Sequence, residues 1–76
     1  MKLRELLNIV EAYTKVIIRE SETEMWTEHN NKTIIKGKYL WEVLHKETKP
    51  YEDYKVIGVK VEDEMLYIAI YKDESE

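Results

Sequence analysis

The clearest alternation of hydrophobic and polar residues lies near the C-terminal end of the chain. Residues 54–72 read YKVIGVKVEDEMLYIAIYK, which is typical of two β-strands joined at an acidic tip, Glu62 to Glu64. One hairpin register places only aliphatic pairs on one face and tyrosine-flanked pairs on the other, and a one-residue shift would exchange the faces. The predicted pairs are Val61 with Leu66, Val59 with Ile68, Ile57 with Ile70, Lys60 with Tyr67, Gly58 with Ala69, and Val56 with Tyr71.

The N-terminal residues have the spacing of an amphipathic helix. Apolar side chains recur at i, i+3, i+4 and i+7 in residues 2–11, and Asn8 and Glu11 lie on the opposite face. The apolar stripe consists of Leu3, Leu6, Leu7 and Val10, widened by Ile9. Residues 13–20, YTKVIIRE, then change to β-branched residues and predict the first strand.

Residues 21–36 allow two interpretations. Turns at residues 21–22 and 30–31 would give a three-stranded meander whose facing charges have opposite signs, Arg19 with Glu24 and Lys15 with Glu28. This favoured interpretation turns Val16, Ile18, Met25, Thr27 and Ile34 inward, and Ile17, Trp26 and Ile35 outward. The alternative leaves residues 21–31 as an acidic loop, because the segment is polar and its strand propensity is uneven.

Residues 39–46, YLWEVLHK, return to helical spacing and predict a second, short helix. Its inward residues would be Leu40, Val43 and Leu44, with Trp41 and His45 on the flank. Thr48, Lys49 and Pro50 predict its end. We therefore expect a small α+β protein in the order helix, three-strand meander, short helix, β-hairpin. Residues 1–76 would form a single domain with an antiparallel sheet, both helices on one face, and a frayed tail at 73–76.

This arrangement would leave an apolar second face on the sheet. Its residues would be Ile17, Trp26, Ile35, Tyr54, Val56, Tyr67 and Tyr71. Such a patch is larger than a monomer usually exposes, so either a partner covers it, a homodimer forms through it, or the predicted faces are wrong.

Composition limits the classes of function. The 76 residues include no Cys, which excludes disulfides and thiolate metal sites. The net charge of −4 argues against direct binding of nucleic acid, which requires basic patches. The charged N-terminal residues do not resemble a signal peptide, and no apolar run reaches the roughly 18 residues of a membrane span. A cytoplasmic protein is therefore expected, without a membrane association.

The residues that catalysis requires are scarce. Two His, two Gly and two Ser, Ser21 and Ser75, form no nucleophile elbow, phosphate loop or dinucleotide fingerprint. The carboxylates cluster at predicted turns, and the acidic tip lacks the spacing of a calcium loop. We therefore expect neither enzymatic activity nor a metal or other cofactor.

Two groups of side chains are candidates for binding. The first is an acidic group around a tryptophan, together with the acidic tip, suited to a protein partner with a basic surface: Glu20, Glu22, Glu24, Trp26, Glu28, Glu62, Asp63 and Glu64. The second could hold a nucleotide-like ligand by stacking and cationic contacts: Lys36, Lys38, Trp41 and His45. Ordinary solubilising charge is nevertheless the simpler explanation of the first group, and the mixed flank of a helix is the simpler explanation of the second.

The overall pattern resembles a known group of proteins. The segments LRELLNIV, KVIIRE and YKVIGVKVEDEMLYIAI are similar to those of short orphan proteins from phages and prophages of low-GC Gram-positive bacteria. That group includes anti-CRISPR and other anti-defence proteins. The resemblance implies a non-enzymatic inhibitor that occludes a host defence or nucleic-acid-processing enzyme. The alternatives are a binder that sequesters a nucleotide immune signal and a homodimeric phage accessory protein with a structural or regulatory role.

Overall fold

Four strands form one mixed sheet in the computed structural model, which describes residues 1–26 and 29–72. The strands are β1 (Lys15–Ser21), β2 (Asn31–Tyr39), β3 (Lys55–Glu62) and β4 (Met65–Tyr71), in the spatial order β2-β1-β4-β3. β1 is antiparallel to β2 and parallel to β4, and β3 is antiparallel to β4. The α+β class is therefore confirmed, whereas a wholly antiparallel sheet is wrong.

The predicted meander is also wrong, because β1 pairs directly with β2 instead of with a strand in the intervening loop. The described residues between Ser21 and Asn31 contain no strand. Ser21 Oγ donates to the Thr23 carbonyl at 2.7 Å, and Glu22 N–H donates to the Asn30 carbonyl at 2.9 Å, so local bonds form a loop. Arg19 accordingly pairs with Thr33 and not with Glu24. Thr27, Glu28 and the predicted tail at 73–76 lie outside the described residues.

The helices are shorter than their periodicity indicates. α1 spans Leu3–Leu7, and Ile9 is exposed, so it does not widen the apolar stripe. In place of a helix over 39–46 there is a 3-10 turn, Leu40–Glu42, followed by extended backbone. The reason is tertiary: Leu40 N–H donates to the Thr14 carbonyl at 2.9 Å and Trp41 N–H to the Ala12 carbonyl at 3.0 Å.

The predicted end of the second helix is displaced as well. α2 spans His45–Thr48 and continues into a second 3-10 turn, Lys49–Tyr51, which has Pro50 in its first turn. Proline is tolerated there, because the first residues of a helix need no intrahelical N–H donor. Leu44 is exposed instead of buried, while Val43 and Tyr51 pack against the core.

The hydrophobic core lies between α1 and one side of the sheet, which we call the core face. Its buried members are Leu3, Leu6, Val16, Ile18, Ile35, Ile68 and Ile70. Ile35, predicted to point outward, is 1% exposed because β2 contains extra residues relative to β1. Val16 pairs with Lys38 but Ile18 pairs with Ile35, so a bulge around Gly37, at φ +64°, resets the faces.

The β3–β4 hairpin confirms much of the predicted register. Val61 pairs with Leu66, Val59 with Ile68, Lys60 with Tyr67 and Gly58 with Ala69. A second bulge at Ile57 then places Val56 opposite Ile70 and Lys55 opposite Tyr71, so the last two predicted pairs are wrong. Asp63 and Glu64 have φ values of 53° and 63°, which are typical of a two-residue type I′ turn.

Candidate functional site

A groove of about 260 Å³ lies on the side of the sheet opposite the core. We call this side the groove face; it carries Ile17, Arg19, Tyr67 and Ala69. The groove is lined by Ile17, Arg19, Trp26, Gly58, Val59, Lys60, Tyr67, Ile68 and Ala69. Three neighbouring strands thus form its floor, and the loop after β1 contributes one wall through Trp26.

Small residues make the groove deep at its centre. Gly58 pairs with Ala69 across β3 and β4, and a Cβ added at Gly58 would lie 3.8 Å from the Ala69 Cβ. The backbone of Gly58 is not in the left-handed region, so a larger residue could adopt its conformation. What this glycine provides is space above the sheet, flanked by the larger side chains of Lys60 and Tyr67.

An ion pair holds the loop over the sheet. Lys55 Nζ at the beginning of β3 donates to Glu24 Oε1 at 2.7 Å. Both residues are partly solvated, so the pair stabilises the fold only weakly, but it spans the sheet from the β1 end to β3. Trp26 follows two residues later and remains 39% exposed while lining the groove.

Two cationic side chains, Arg19 and Lys60, line the groove together with its apolar residues. Arg19 Nε is buried and has no hydrogen-bond partner among the described residues. Lys60 Nζ lies 5.4 Å from the centre of the Tyr67 ring and 2.9 Å from Glu62 Oε2. The groove can therefore accept an apolar body, and the cationic residues among its lining favour an anionic ligand over a cationic one.

The structure separates the acidic candidates into different places. Glu22 and Glu24 are exposed in the loop beside Trp26, whereas Glu20 is half-buried on the core face. The tip, with Glu62, Asp63 and Glu64, lies at the opposite end of the sheet. This follows from the parallel register, in which Lys15 pairs with Met65 at one end and Ser21 pairs with Tyr71 at the other. The two ends of this pairing are about 20 Å apart along the strand. Glu28 lies outside the described residues.

The basic candidates are partly brought together. Lys38 Nζ lies 3.4 Å from Glu47 Oε2 in α2, and His45 Nδ1, at the start of α2, lies 3.3 Å from Glu52 Oε1. Each has a carboxylate neighbour that an anionic ligand would have to displace. Trp41 is 61% exposed beyond the end of β2, and Lys36 is exposed on that strand.

The predicted apolar second face is smaller than the pattern indicates. Ile35 is in the core, and Tyr54 and Val56 pack against it, so these three are wrongly assigned. Burial, the Glu20 carboxylate and Tyr51 together raise the pKa of Tyr54 above its ordinary value. Ile17, Trp26 and Tyr67 remain on the groove face, where they line the groove.

Sequence reasoning missed the groove itself. It paired Gly58 with Ala69 correctly but assigned them no role, and it used Arg19 only as a partner for Glu24. The available signal was a small residue facing another small residue inside an otherwise bulky hairpin, which marks close approach by another group. The position of Arg19 beside that pair required the β1–β4 pairing, which the local pattern does not reveal.

Comparison of the chain with protein-family models, curated proteins and solved structures gives no match. Among residues 1–26 and 29–72, no group of three or more His, Asp or Glu side chains is arranged to hold a metal ion. Within the same ranges, every helix is too short or too polar to cross a membrane. Function is therefore inferred from the geometry of the chain's own residues.

Proposed function

We propose that this protein is a non-enzymatic binding protein that occludes a protein partner, and that the partner is a bacterial defence or nucleic-acid-processing enzyme. The loop after β1 is the centre of the contact surface. The observation that carries the proposal is the exposure of Met25 (79%) and Trp26 (39%) side by side in a loop that the Glu24–Lys55 pair ties to the sheet. Exposed tryptophans surrounded by polar residues are typical centres of protein interfaces.

The charge around this centre favours a basic partner surface. Glu22 and Glu24 are exposed on the same loop, whereas Glu20 precedes the last residue of β1 and is half-buried on the core face. Carboxylates on a rim accelerate association with a basic channel and make the binding dependent on salt. The tip residues Asp63 and Glu64 lie at the other end of the sheet, so they would serve only as a separate contact for a large partner.

The first experiment is a pull-down with the tagged protein from a low-GC Gram-positive lysate at low and at high salt. A defence or nucleic-acid-processing enzyme retained at low salt and lost at high salt supports the proposal. Recovery of no protein at either salt concentration contradicts it. Light scattering at two protein concentrations distinguishes the alternative, a homodimer that covers the groove face itself.

The contact surface is then tested with matched charge reversals. Glu22→Lys is expected to weaken binding of the recovered partner, and Trp26→Ala by about tenfold or more. Glu64→Lys makes the same charge change at the distant tip and is expected to leave affinity close to wild type. Unchanged affinity in both loop variants, with wild-type circular dichroism, would place the contact elsewhere.

The alternative proposal, a nucleotide-binding role for Lys36, Lys38, Trp41 and His45, has less support. The Glu47 and Glu52 carboxylates already lie beside Lys38 and His45. Cyclic nucleotides should raise the melting temperature if the alternative is right. An unchanged melting temperature at millimolar nucleotide would contradict this alternative.

A further inference from the structure

We infer that the groove is a binding site for a small planar aromatic carboxylate. This inference concerns a small molecule on the groove face and does not depend on the identity of any protein partner. It is carried by the arrangement of three residues in one row across the sheet, Arg19, Ala69 and Gly58.

The row follows from the strand pairing. Arg19 on β1 pairs with Ala69 on β4, and Ala69 pairs with Gly58 on β3. Neighbouring strands are about 4.8 Å apart, so the two small residues form a flat floor that extends roughly 10 Å from the arginine backbone. A fused aromatic ring fits that length when it lies flat on the Cα and Cβ atoms of the floor.

The neighbouring row provides the side of the site. Ile17 pairs with Tyr67, and Tyr67 pairs with Lys60, so these larger side chains stand along one edge of the floor. Trp26 approaches from the loop and supplies a second aromatic wall. A planar ring is therefore enclosed by apolar and aromatic groups on several sides, which is how proteins bury most of a small ligand's surface.

Charge determines which end of the ligand points where. Arg19 Nε is buried without a hydrogen-bond partner among the described residues, and a buried donor in that condition is costly. Arg19 also lines the groove, so a carboxylate at the β1 end of the floor would pair with its guanidinium, forming a charge-assisted bond inside a mainly apolar site. A neutral ligand of the same shape would leave the donor less well satisfied, and a cation would be repelled.

The test is a fluorescence titration of the full chain with 2-naphthoate and with its neutral isostere 2-naphthamide. The background variant Trp41→Phe leaves Trp26 as the only tryptophan, so the signal reports on the groove wall. We expect saturable binding of naphthoate, with the amide weaker by about tenfold or more. Arg19→Met, which keeps the apolar length of the side chain, should remove that difference.

A second variant tests the floor. Gly58→Val fills the space above Ala69 and should weaken both compounds, whereas Val61→Ala, 74% exposed on the same strand, should change neither. Absence of saturable binding at about 10 mM, or equal affinity for acid and amide in the Trp41→Phe protein, overturns the inference. Changes in the backbone amide NMR shifts of the wild-type protein on addition of naphthoate provide a check that does not depend on any variant folding. Changes centred on residues 19, 58 and 69 support the site, and changes elsewhere overturn it.

Discussion

Glu24 and Lys55 are 31 positions apart in the chain, yet the Lys55 ammonium donates to the Glu24 carboxylate at 2.7 Å. Lys55 pairs with Tyr71 on β4, and Tyr71 pairs with Ser21 at the end of β1. The loop that leaves β1 therefore turns back across two strands on the groove face. This path places Trp26 against the groove, where it belongs both to the proposed protein contact and to the proposed ligand site.

Breaking the Glu24–Lys55 pair should free the loop from the sheet while changing the free energy of unfolding only slightly. Glu24→Gln is expected to lower the free energy of unfolding by less than about 1 kcal/mol, since both side chains are partly solvated. Trp26 fluorescence in the Trp41→Phe background should shift to longer wavelength as the ring gains water. Glu22→Gln, which removes an equal charge from the same loop but leaves the pair intact, is the control. Equal shifts in both variants would show that the pair does not position Trp26.

The two glycines should respond oppositely to alanine. Gly37 has φ +64°, so Gly37→Ala should lower the free energy of unfolding by about 1 kcal/mol or more through backbone strain. The new Cβ would lie 3.7 Å from Met65 Sδ, an ordinary contact, so a clash is not the cause. Gly58→Ala should raise stability by about 0.4–1 kcal/mol, because its backbone is already compatible. Urea unfolding measures both, and a stabilised Gly37→Ala would contradict the bulge.

Removing one methyl group at a time tests which isoleucine of β2 lies in the core, Ile35 or Ile34. Ile35→Val should cost about 0.5–1.5 kcal/mol, because Ile35 is fully buried against Ile18. Ile34→Val should cost clearly less, since Ile34 is only half-buried. Thermal unfolding of the pair distinguishes the observed sheet from the meander, in which Ile34 would point inward. A larger loss for Ile34→Val would reverse the assignment.

Alkaline pH should weaken the fold through Tyr54. Burial, Glu20 and Tyr51 raise the pKa of this phenol in the folded state, so folding favours its protonated form. The resulting stability is fully present below the unfolded pKa of about 10 and is lost as pH rises through the folded pKa. Urea unfolding between about pH 9 and 11 should show a shallower decline for Tyr54→Phe than for wild type. Tyr13→Phe, at an exposed position, is the control, and equal slopes for the two variants would contradict the assignment.

Expectations from the sequence succeeded where the determining contacts are local. The β3–β4 hairpin joins strands through a two-residue turn, so the alternation of Val61, Lys60 and Val59 against their partners determines the register directly. The start of α1 is similarly encoded by Leu3 and Leu6 at helical spacing. The prediction fails at Ile57, because a bulge inserts one residue without leaving a mark in the hydrophobic pattern.

The strand order was decided only by the tertiary structure. A hydrophobic pattern states which face of a strand is buried but not which strand lies beside it, so the parallel pairing of β1 with β4 could not be anticipated. That pairing places Arg19 beside Ala69 and Gly58 and separates the acidic tip from the acidic loop. The sequence by itself thus determined the β3–β4 hairpin and the start of α1, whose contacts are local. It also determined which types of side chain are present for binding. Contacts between distant segments determined which of those side chains meet. These contacts have a long separation along the chain, and they form only when all four strands pair.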